Sequence, residues 1–416
     1  LNLTLSSCMI LNSRPKNMKN RLSLTTLYNS TLVLCISALL VACGSGQEAS
    51  TSVSSESFKA ELIDVPDTQM AIVQMGNGGP EVLKYQSIPV LEPATDEVLV
   101  KVVATAINPI DWRFREGVGR PPVYGVAGGN PDGGGAPSSG TTTPPAPPTG
   151  ERPPSVPGVD ISGVVVKLGE AVTNIELGDA VFAKLATGQT ILNGGYSEYA
   201  IAPANQVVTK PTDRTYAEAA GLGTVSITAL RTIEHADVSA GQRVFINGIA
   251  GGIGSSAAQI AKARGAYVLG TASGGHHEYL KTIGVDEAIN YREVQFDEVI
   301  QEPVDVVIET VGTETANQAL NILKPGGQLV SIAGPADPDK CEAAGVICAR
   351  LGGPVGRSNE VLLQEIGQLA EAGQFKLNVD TTFPLEQAGA AQDLNHNVGT
   401  RGKIILIVDP EMADQK

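Results

Sequence analysis

The sequence predicts an α/β protein in which a doubly wound parallel sheet follows a compact, β-barrel-like domain. Three observations support this. Residues 241–264, GQRVFINGIAGGIGSSAAQIAKAR, give a short apolar run, a glycine cluster and an alanine-rich run with helical spacing, which is the order strand, tight turn, helix. Strand and helix patterns then keep alternating for about a hundred residues, as a parallel sheet with crossover helices requires. Ahead of them, residues 70–203 form a series of short alternating apolar runs parted by glycine turns.

The turn is the first functional signal. Its apolar run, 244–246, stops at Gly248, Gly251, Gly252 and Gly254, and Ala257, Ala258, Ile260 and Ala261 follow at helical spacing. A strand that feeds a helix this way leaves unpaired backbone N–H groups and the positive end of the helix dipole facing one point, where a pyrophosphate can sit. Glycines let the backbone approach the phosphates and pack the helix onto the sheet. Gly248, Ala250, Gly251, Gly252, Ile253 and Gly254 are therefore the candidate nucleotide cradle.

Composition narrows the partners. The 416 residues suffice for two cores. A formal charge of −15 argues against nucleic acid or an anionic membrane held by charge, since both present phosphates. The first 42 residues are different material, with no acid, with Arg14, Lys16, Lys19 and Arg21, and with the apolar segment 31–42. They read as a secretory signal whose apolar core is short for a membrane-spanning helix. It ends in Leu40-Val41-Ala42-Cys43-Gly44-Ser45, which is similar to a bacterial lipobox. Cys43 is then expected to be the lipidated first residue of the mature chain, the only link to a membrane, on the extracytoplasmic face. A plain signal peptide or a chance apolar start are the alternatives, and Met18 is a more natural first residue than Leu1.

The expected organisation is a signal at 1–42, a tether at 43–65, a barrel domain at 66–203 and 355–410, and a nucleotide-binding domain at 204–354. Within the barrel domain, residues 117–157 are dominated by Gly, Pro, Ser and Thr. They cannot bury enough apolar area to offset ordering entropy, so a mobile surface loop is expected, with a catalytic lid as the alternative. Further on, the pattern gives a helix at 216–235 and apolar strands at 244–246, 267–269, 304–308 and 328–332, suited to a sheet covered on both faces. No CxxC pair and no Cys/His cluster with metal spacing occurs. A Cys341–Cys348 disulfide stays open in an oxidising compartment, although on one unbroken helix the two would lie about two turns apart, too far to bond.

Several motifs stand in order along the chain: Ala106-Ile107-Asn108-Pro109-Ile110-Asp111, Pro157-Gly158-Val159-Asp160-Ile161-Ser162-Gly163, Gly178-Asp179-Ala180-Val181-Phe182 and Gly194-Gly195-Tyr196-Ser197-Glu198-Tyr199. The glycine turn, Asp305-Val306-Val307-Ile308-Glu309-Thr310-Val311-Gly312, Leu323-Lys324-Pro325-Gly326-Gly327 and Arg401-Gly402-Lys403-Ile404 complete the set. Together they resemble the zinc-independent branch of the medium-chain dehydrogenase/reductase family, the quinone oxidoreductases and NADPH-dependent enone reductases. The resemblance spans residues 70–409, although Phe245 and Ile249 stand where leucine and a small residue are usual. It implies a GroES-like barrel domain and a Rossmann sheet, with the strand at 403–408 returning to the barrel. It also implies no metal: zinc relatives carry a cysteine near Asn108, a His-Glu pair near Val159-Asp160 and a four-cysteine lobe, all missing here. Hydride transfer from a nicotinamide to a quinone or an α,β-unsaturated carbonyl is the natural chemistry that remains. Members of that family often pair through the last strand of the nucleotide sheet; the corresponding stretch here, 345–350, is short and runs into glycines, which leaves a monomer and a homodimer both open.

The cofactor expected is NADPH. An NAD site normally places an acid about twenty residues beyond the glycines, and the chain has Thr271-Ala272-Ser273-Gly274-Gly275 there. Ser273 can donate to a 2′-phosphate instead. By resemblance Tyr291 is a phosphate contact and His276 stands where lysine is common, with Arg292 a further cation. Tyr291 and Arg292 as a polar strand end is the alternative. His276 should weaken NADPH binding above neutral pH as it loses its proton. Val311, Gly312, Ala333 and Gly334 complete the expected cofactor contacts.

Asn108 and Asp111 are the candidate catalytic residues. The resemblance puts Asn108 at the nicotinamide ribose or the bound carbonyl, whereas Asn-Pro after a strand is also an ordinary turn. Asp111 fits a loop brace better than a base, and Arg113 and Tyr124 are further candidate substrate contacts. An exported chain that needs a cytosolic cofactor leaves two readings: an NADPH-dependent reductase of a quinone or enone, or a lipid-anchored, non-catalytic binding protein that retains the fold.

Overall fold

The computed structural model describes residues 64–118, 154–185, 192–351 and 356–416. The expected signal, Cys43, the tether up to residue 63, Tyr124 and most of the 117–157 segment lie outside the described residues.

The barrel-side elements come first: β1 (Thr68–Gln74), β2 (Leu83–Pro89), β3 (Glu97–Ala106), α1 (Pro109–Arg115), β4 (Asp160–Leu168), β5 (Ala180–Lys184), β6 (Tyr199–Pro203) and β7 (Val207–Thr209). After α2 (Tyr216–Ala220) and α3 (Gly223–His235) the alternation begins: β8 (Arg243–Asn247), α4 (Gly252–Ala263), β9 (Tyr267–Ala272), α5 (His277–Thr282), β10 (Glu287–Asn290), α6 (Phe296–Val299), β11 (Val304–Glu309), α7 (Thr313–Ala319), β12 (Leu323–Ser331), α8 (Pro338–Ala344) and β13 (Ile347–Arg350). The chain closes with α9 (Asn359–Glu371), β14 (Val379–Pro384), α10 (Ala388–Asn397) and β15 (Lys403–Ile407).

On the barrel side the period of two decides which core each side chain joins. In β3, Val98, Val100 and Val102 enter one cluster, while Leu99 and Val103 enter another. The sheet runs β14-β15-β3-β4-β5-β7, with β6 also on β3. Thus β15, from the far end of the chain, lies antiparallel to β3. β7 carries this sheet past residue 203, where the sequence pattern had placed its end. α9 packs on α3 and β7, and its Leu362, Leu363 and Ile366 join the core cluster of the nucleotide side.

The six-stranded sheet is parallel throughout, in the order β10-β9-β8-β11-β12-β13. β8 sits in its middle for a physical reason. Val244 and Ile246 pack with α3 and α4 on one face, and Phe245 packs with Ala316 and Ala319 of α7 on the other, all without exposure. Each such side chain contributes roughly 1.5–3 kcal/mol by burial, which an edge position would forfeit. Strand order reverses between β8 and β11, and the crevice outside their carboxyl ends is where such sheets bind ligands.

One expectation is corrected and one open question is answered. The helix at 216–235 is two helices. α2 starts at a Thr215/Glu218 capping box and stops at Gly221, where a Cβ would lie 2.0 Å from Leu377 Cδ2. Cys341 and Cys348 do not share a helix: α8 ends at Gly345, whose left-handed backbone (φ 65°) turns the chain back into β13. The two cysteines thereby face each other, Cα atoms 6.1 Å apart, and are bonded as a disulfide.

Candidate active site

β8 delivers the chain to the crevice at Asn247, and α4 leaves it with Gly251 as N-cap and no side chain capping its first N–H groups. Those groups have no partner within the helix and remain free to bind an anion. Gly254 must be glycine, since a Cβ there would lie 2.4 Å from the Gly248 carbonyl oxygen and 2.8 Å from Ile249 Cα. Ile249 is fully buried, and a Cβ on Gly270 would come within 3.0 Å of it, so this departure from the small residue expected fills the core beneath the turn and leaves the crevice open.

A buried polar lattice holds the turn. Asn247 receives the Thr271 hydroxyl, Thr310 Oγ1 donates to Asn247 O at 2.6 Å, and Asn247 Nδ2 donates to Glu309 Oε2 at 2.9 Å. Glu309, wholly buried, accepts through Oε1 from the backbone N–H groups of Val311 (2.6 Å) and Gly312 (3.1 Å), which pins the loop after β11. Sequence reasoning did not single out Asn247 or Glu309. A polar residue closing each of the apolar runs 244–246 and 306–308 was the available signal.

β9 ends at Ala272 and so presents Ser273 to the crevice, with His276 one turn on. Burial lowers the His276 pKa from its ordinary value, and Arg401, Arg292 and His277 add to this while Asp380 opposes it. Tyr291 is 53% exposed, with the Arg292 guanidinium 5.8 Å over its ring.

Across the crevice, α1 starts at Asn108. Its N–H donates to Asp111 Oδ2 at 2.8 Å, and Tyr196 Oη donates to the same oxygen at 3.0 Å. Burial pushes the Asp111 pKa up to about 7, against the pull of those hydrogen bonds and of Lys403. Asn108 Nδ2 donates to Asp160 Oδ2 at 2.9 Å, and Asp160 Oδ1 accepts from Thr224 N (2.9 Å) and Oγ1 (2.7 Å). Lys403 Nζ donates to Asn108 Oδ1 at 2.7 Å and to Ile107 O at 2.6 Å. The beginnings of α1, β4, α3 and β15 are thus tied at one corner. Next to it, Gly402 N donates to Ala250 O at 2.9 Å, joining the barrel sheet to the nucleotide turn.

One cleft of about 790 Å³ runs from this corner to the turn. It is lined by Asn108, Arg113, Gly248, Ala250, Gly251, Gly252, Ile253, Gly254, Ser273, His276, Tyr291, Arg292, Val311 and Ala333, all singled out from the sequence. Asp111, Gly312 and Gly334 are not in its lining; Asp111 lies behind Asn108 as a brace. The cleft also takes in Trp112, the chain's single tryptophan, whose Nε1 donates to Asn395 Oδ1 at 3.1 Å and whose ring stacks on His396. Thr224 and Lys403 line it too, and the sequence pattern gave no role to either.

Fold and cleft together define a two-domain, nucleotide-dependent oxidoreductase, and the chain belongs to the medium-chain dehydrogenase/reductase family, whose members depend on NAD(P). Residues 94–212 match the alcohol dehydrogenase GroES-like domain, and residues 283–406 match a family described as zinc-binding dehydrogenase. The chain is similar to the quinone oxidoreductase of Sus scrofa, 32% identical over 350 residues that cover 80% of this chain and 95% of the relative. It is 29% identical to the chloroplastic NADPH-dependent alkenal/one oxidoreductase of Arabidopsis thaliana, covering 86% of each. Among solved structures, the quinone oxidoreductase from Coxiella burnetii superposes with a TM-score of 0.68 at 29% identity, over 82% of this chain and 99% of that one.

The name of the second match points to zinc, and the Asn108 corner does not offer a zinc site. Its groups are an amide, a carboxylate already accepting three hydrogen bonds, and the Lys403 ammonium, whose charge would repel a cation. Among the described residues no group of three or more His, Cys, Asp or Glu could hold a metal ion.

Proposed function

We propose that the chain is an NADPH-dependent reductase that transfers a hydride to a quinone or an α,β-unsaturated carbonyl without a metal ion. The supporting observation is that the uncapped start of α4, at the carboxyl end of β8, opens into the same cleft as Asn108 and Lys403. The glycine turn and Val311 would hold the dinucleotide, and Ser273, His276, Tyr291 and Arg292 its 2′-phosphate. Bound there, the nicotinamide supplies the hydride. Asn108 would orient the reacting groups, and Trp112 and Arg113 would flank the acceptor. The names of the mammalian and plant relatives support both the acceptor class and the nucleotide.

Titrating the full-length protein with NADPH and NADH while following Trp112 fluorescence tests this. NADPH should quench at lower concentration than NADH, and no change at high micromolar nucleotide would sink the proposal in favour of the non-catalytic reading. We also propose export and anchoring at Cys43, which the Cys341–Cys348 disulfide supports, because such bonds persist in oxidising compartments. A Cys43→Ala chain that still sediments with membranes would refute the anchor.

A further inference from the structure

The hydrogen bonds at the Asn108 corner leave one donor over. Both amide N–H groups of Asn108 are engaged, by Asp160 Oδ2 at 2.9 Å and by Ala106 O at 3.3 Å, and its Oδ1 takes Lys403. Asn108 can therefore offer a ligand only a lone pair. Lys403 uses two of its three N–H groups, on Asn108 Oδ1 and Ile107 O. The nearest carboxylate oxygen, Asp160 Oδ2, is 4.0 Å from Nζ, beyond hydrogen-bond reach. Lys403 is 3% exposed yet lines the cleft, and its stem lies against the nucleotide turn, where a Cβ on Gly252 would be 3.3 Å from Lys403 Cδ. A buried ammonium with an unused N–H is costly unless an acceptor comes to it.

We propose that Lys403, and not Asn108, is the catalytic donor of this cleft, giving its third N–H to the carbonyl oxygen of the acceptor and holding that oxygen as negative charge builds on it. This rests on the reductase reading above. When a hydride adds to a quinone or enone, the displaced π pair moves onto oxygen, and a fixed cation in a dry corner stabilises that charge far more than water does. Burial lowers the Lys403 pKa, against the opposing pull of Asp160 and Asp111, which makes the ammonium a stronger donor than a solvent lysine. Asn108, bonded to Lys403 Oδ1 to Nζ, acts as the positioning residue.

The probe is 4-nitrophenol, a phenol whose ionisation is visible in its absorbance and whose phenolate imitates the oxyanion. On the full-length protein its ionisation midpoint should fall by about one pH unit, a tenfold preference for the phenolate. Lys403→Met should return it to the free value, and so should Lys403→Gln, which keeps two donors for Ile107 and Asn108 but loses the charge and the third N–H. Lys403→Arg should keep most of the effect. No depression in the wild type, or full depression in either neutral variant, would overturn the inference. Nucleotide binding is read on the same samples through Trp112: if the wild type takes neither NADPH nor NADH, the reductase reading fails and the inference with it. If nucleotide binds and only the phenolate effect is independent of Lys403, the inference falls alone.

Discussion

Tyr196 and Asp111 meet inside the barrel, Oη to Oδ2 at 3.0 Å, and neither is more than 2% exposed. A carboxyl held at a midpoint of about 7, against 3.8 when solvated, favours the folded state only while protonated. Its stabilising contribution is complete below pH 3.8 and is lost as the pH rises through about 7. Asp111→Asn should therefore gain on the wild type as pH increases, with a gap between pH 5 and pH 8 on the order of 2–4 kcal/mol. Thermal unfolding of both proteins across that range checks it, and a gap that stays constant or narrows would place the Asp111 midpoint elsewhere.

Burial holds the His276 pKa below its ordinary value in the free protein, with Arg401, Arg292 and His277 adding to this and Asp380 opposing it. His276→Lys should bind NADPH more tightly at pH 8, by roughly three- to tenfold. The ratio of the two affinities should shrink toward pH 6, where a bound phosphate recharges the imidazole. The same comparison with NADH should show no change, and an equal gain for both nucleotides would remove His276 from the phosphate end.

Gly254→Ala should damage the nucleotide turn. Its new Cβ would press on backbone atoms of Gly248 and Ile249, which cannot swing aside as a side chain can. A loss of about 1–3 kcal/mol in stability is expected, with nucleotide affinity down at least roughly tenfold. Trp112 quenching and a melting curve measure the two effects separately.

Opening the Cys341–Cys348 disulfide should cost about 2–3 kcal/mol, the entropy of so short a loop, and lower the melting temperature by a few degrees. Reducing agent and the Cys348→Ser variant should agree. Nucleotide binding should survive both, since the disulfide joins α8 to β13 and neither cysteine lines the cleft.

What was legible in the sequence was what depends on local pattern. The β8 turn showed itself through glycines set between an apolar run and a helical one, with strand and helix alternating after them, and the parallel sheet through largely apolar strands. The absence of an acid after β9 pointed to Ser273 because strand length alone carries the chain to the crevice. What was not legible depends on contacts across long stretches of chain. Lys403 meets Asn108 and Asp160 only because β15 folds back onto β3, and nothing in the local sequence marks that lysine as buried. Gly345 looked like an ordinary glycine in a short apolar stretch, and its left-handed turn is what brings Cys341 to Cys348.

The bond from Gly402 N to Ala250 O has a mechanical consequence. It fastens the two halves beside the corner where, on the proposed reading, hydride donor and acceptor would be aligned, so parting them there would cost a backbone hydrogen bond. A dinucleotide bound as proposed would then meet solvent at the other end of the cleft, near Tyr291 and Val311, both more than half exposed.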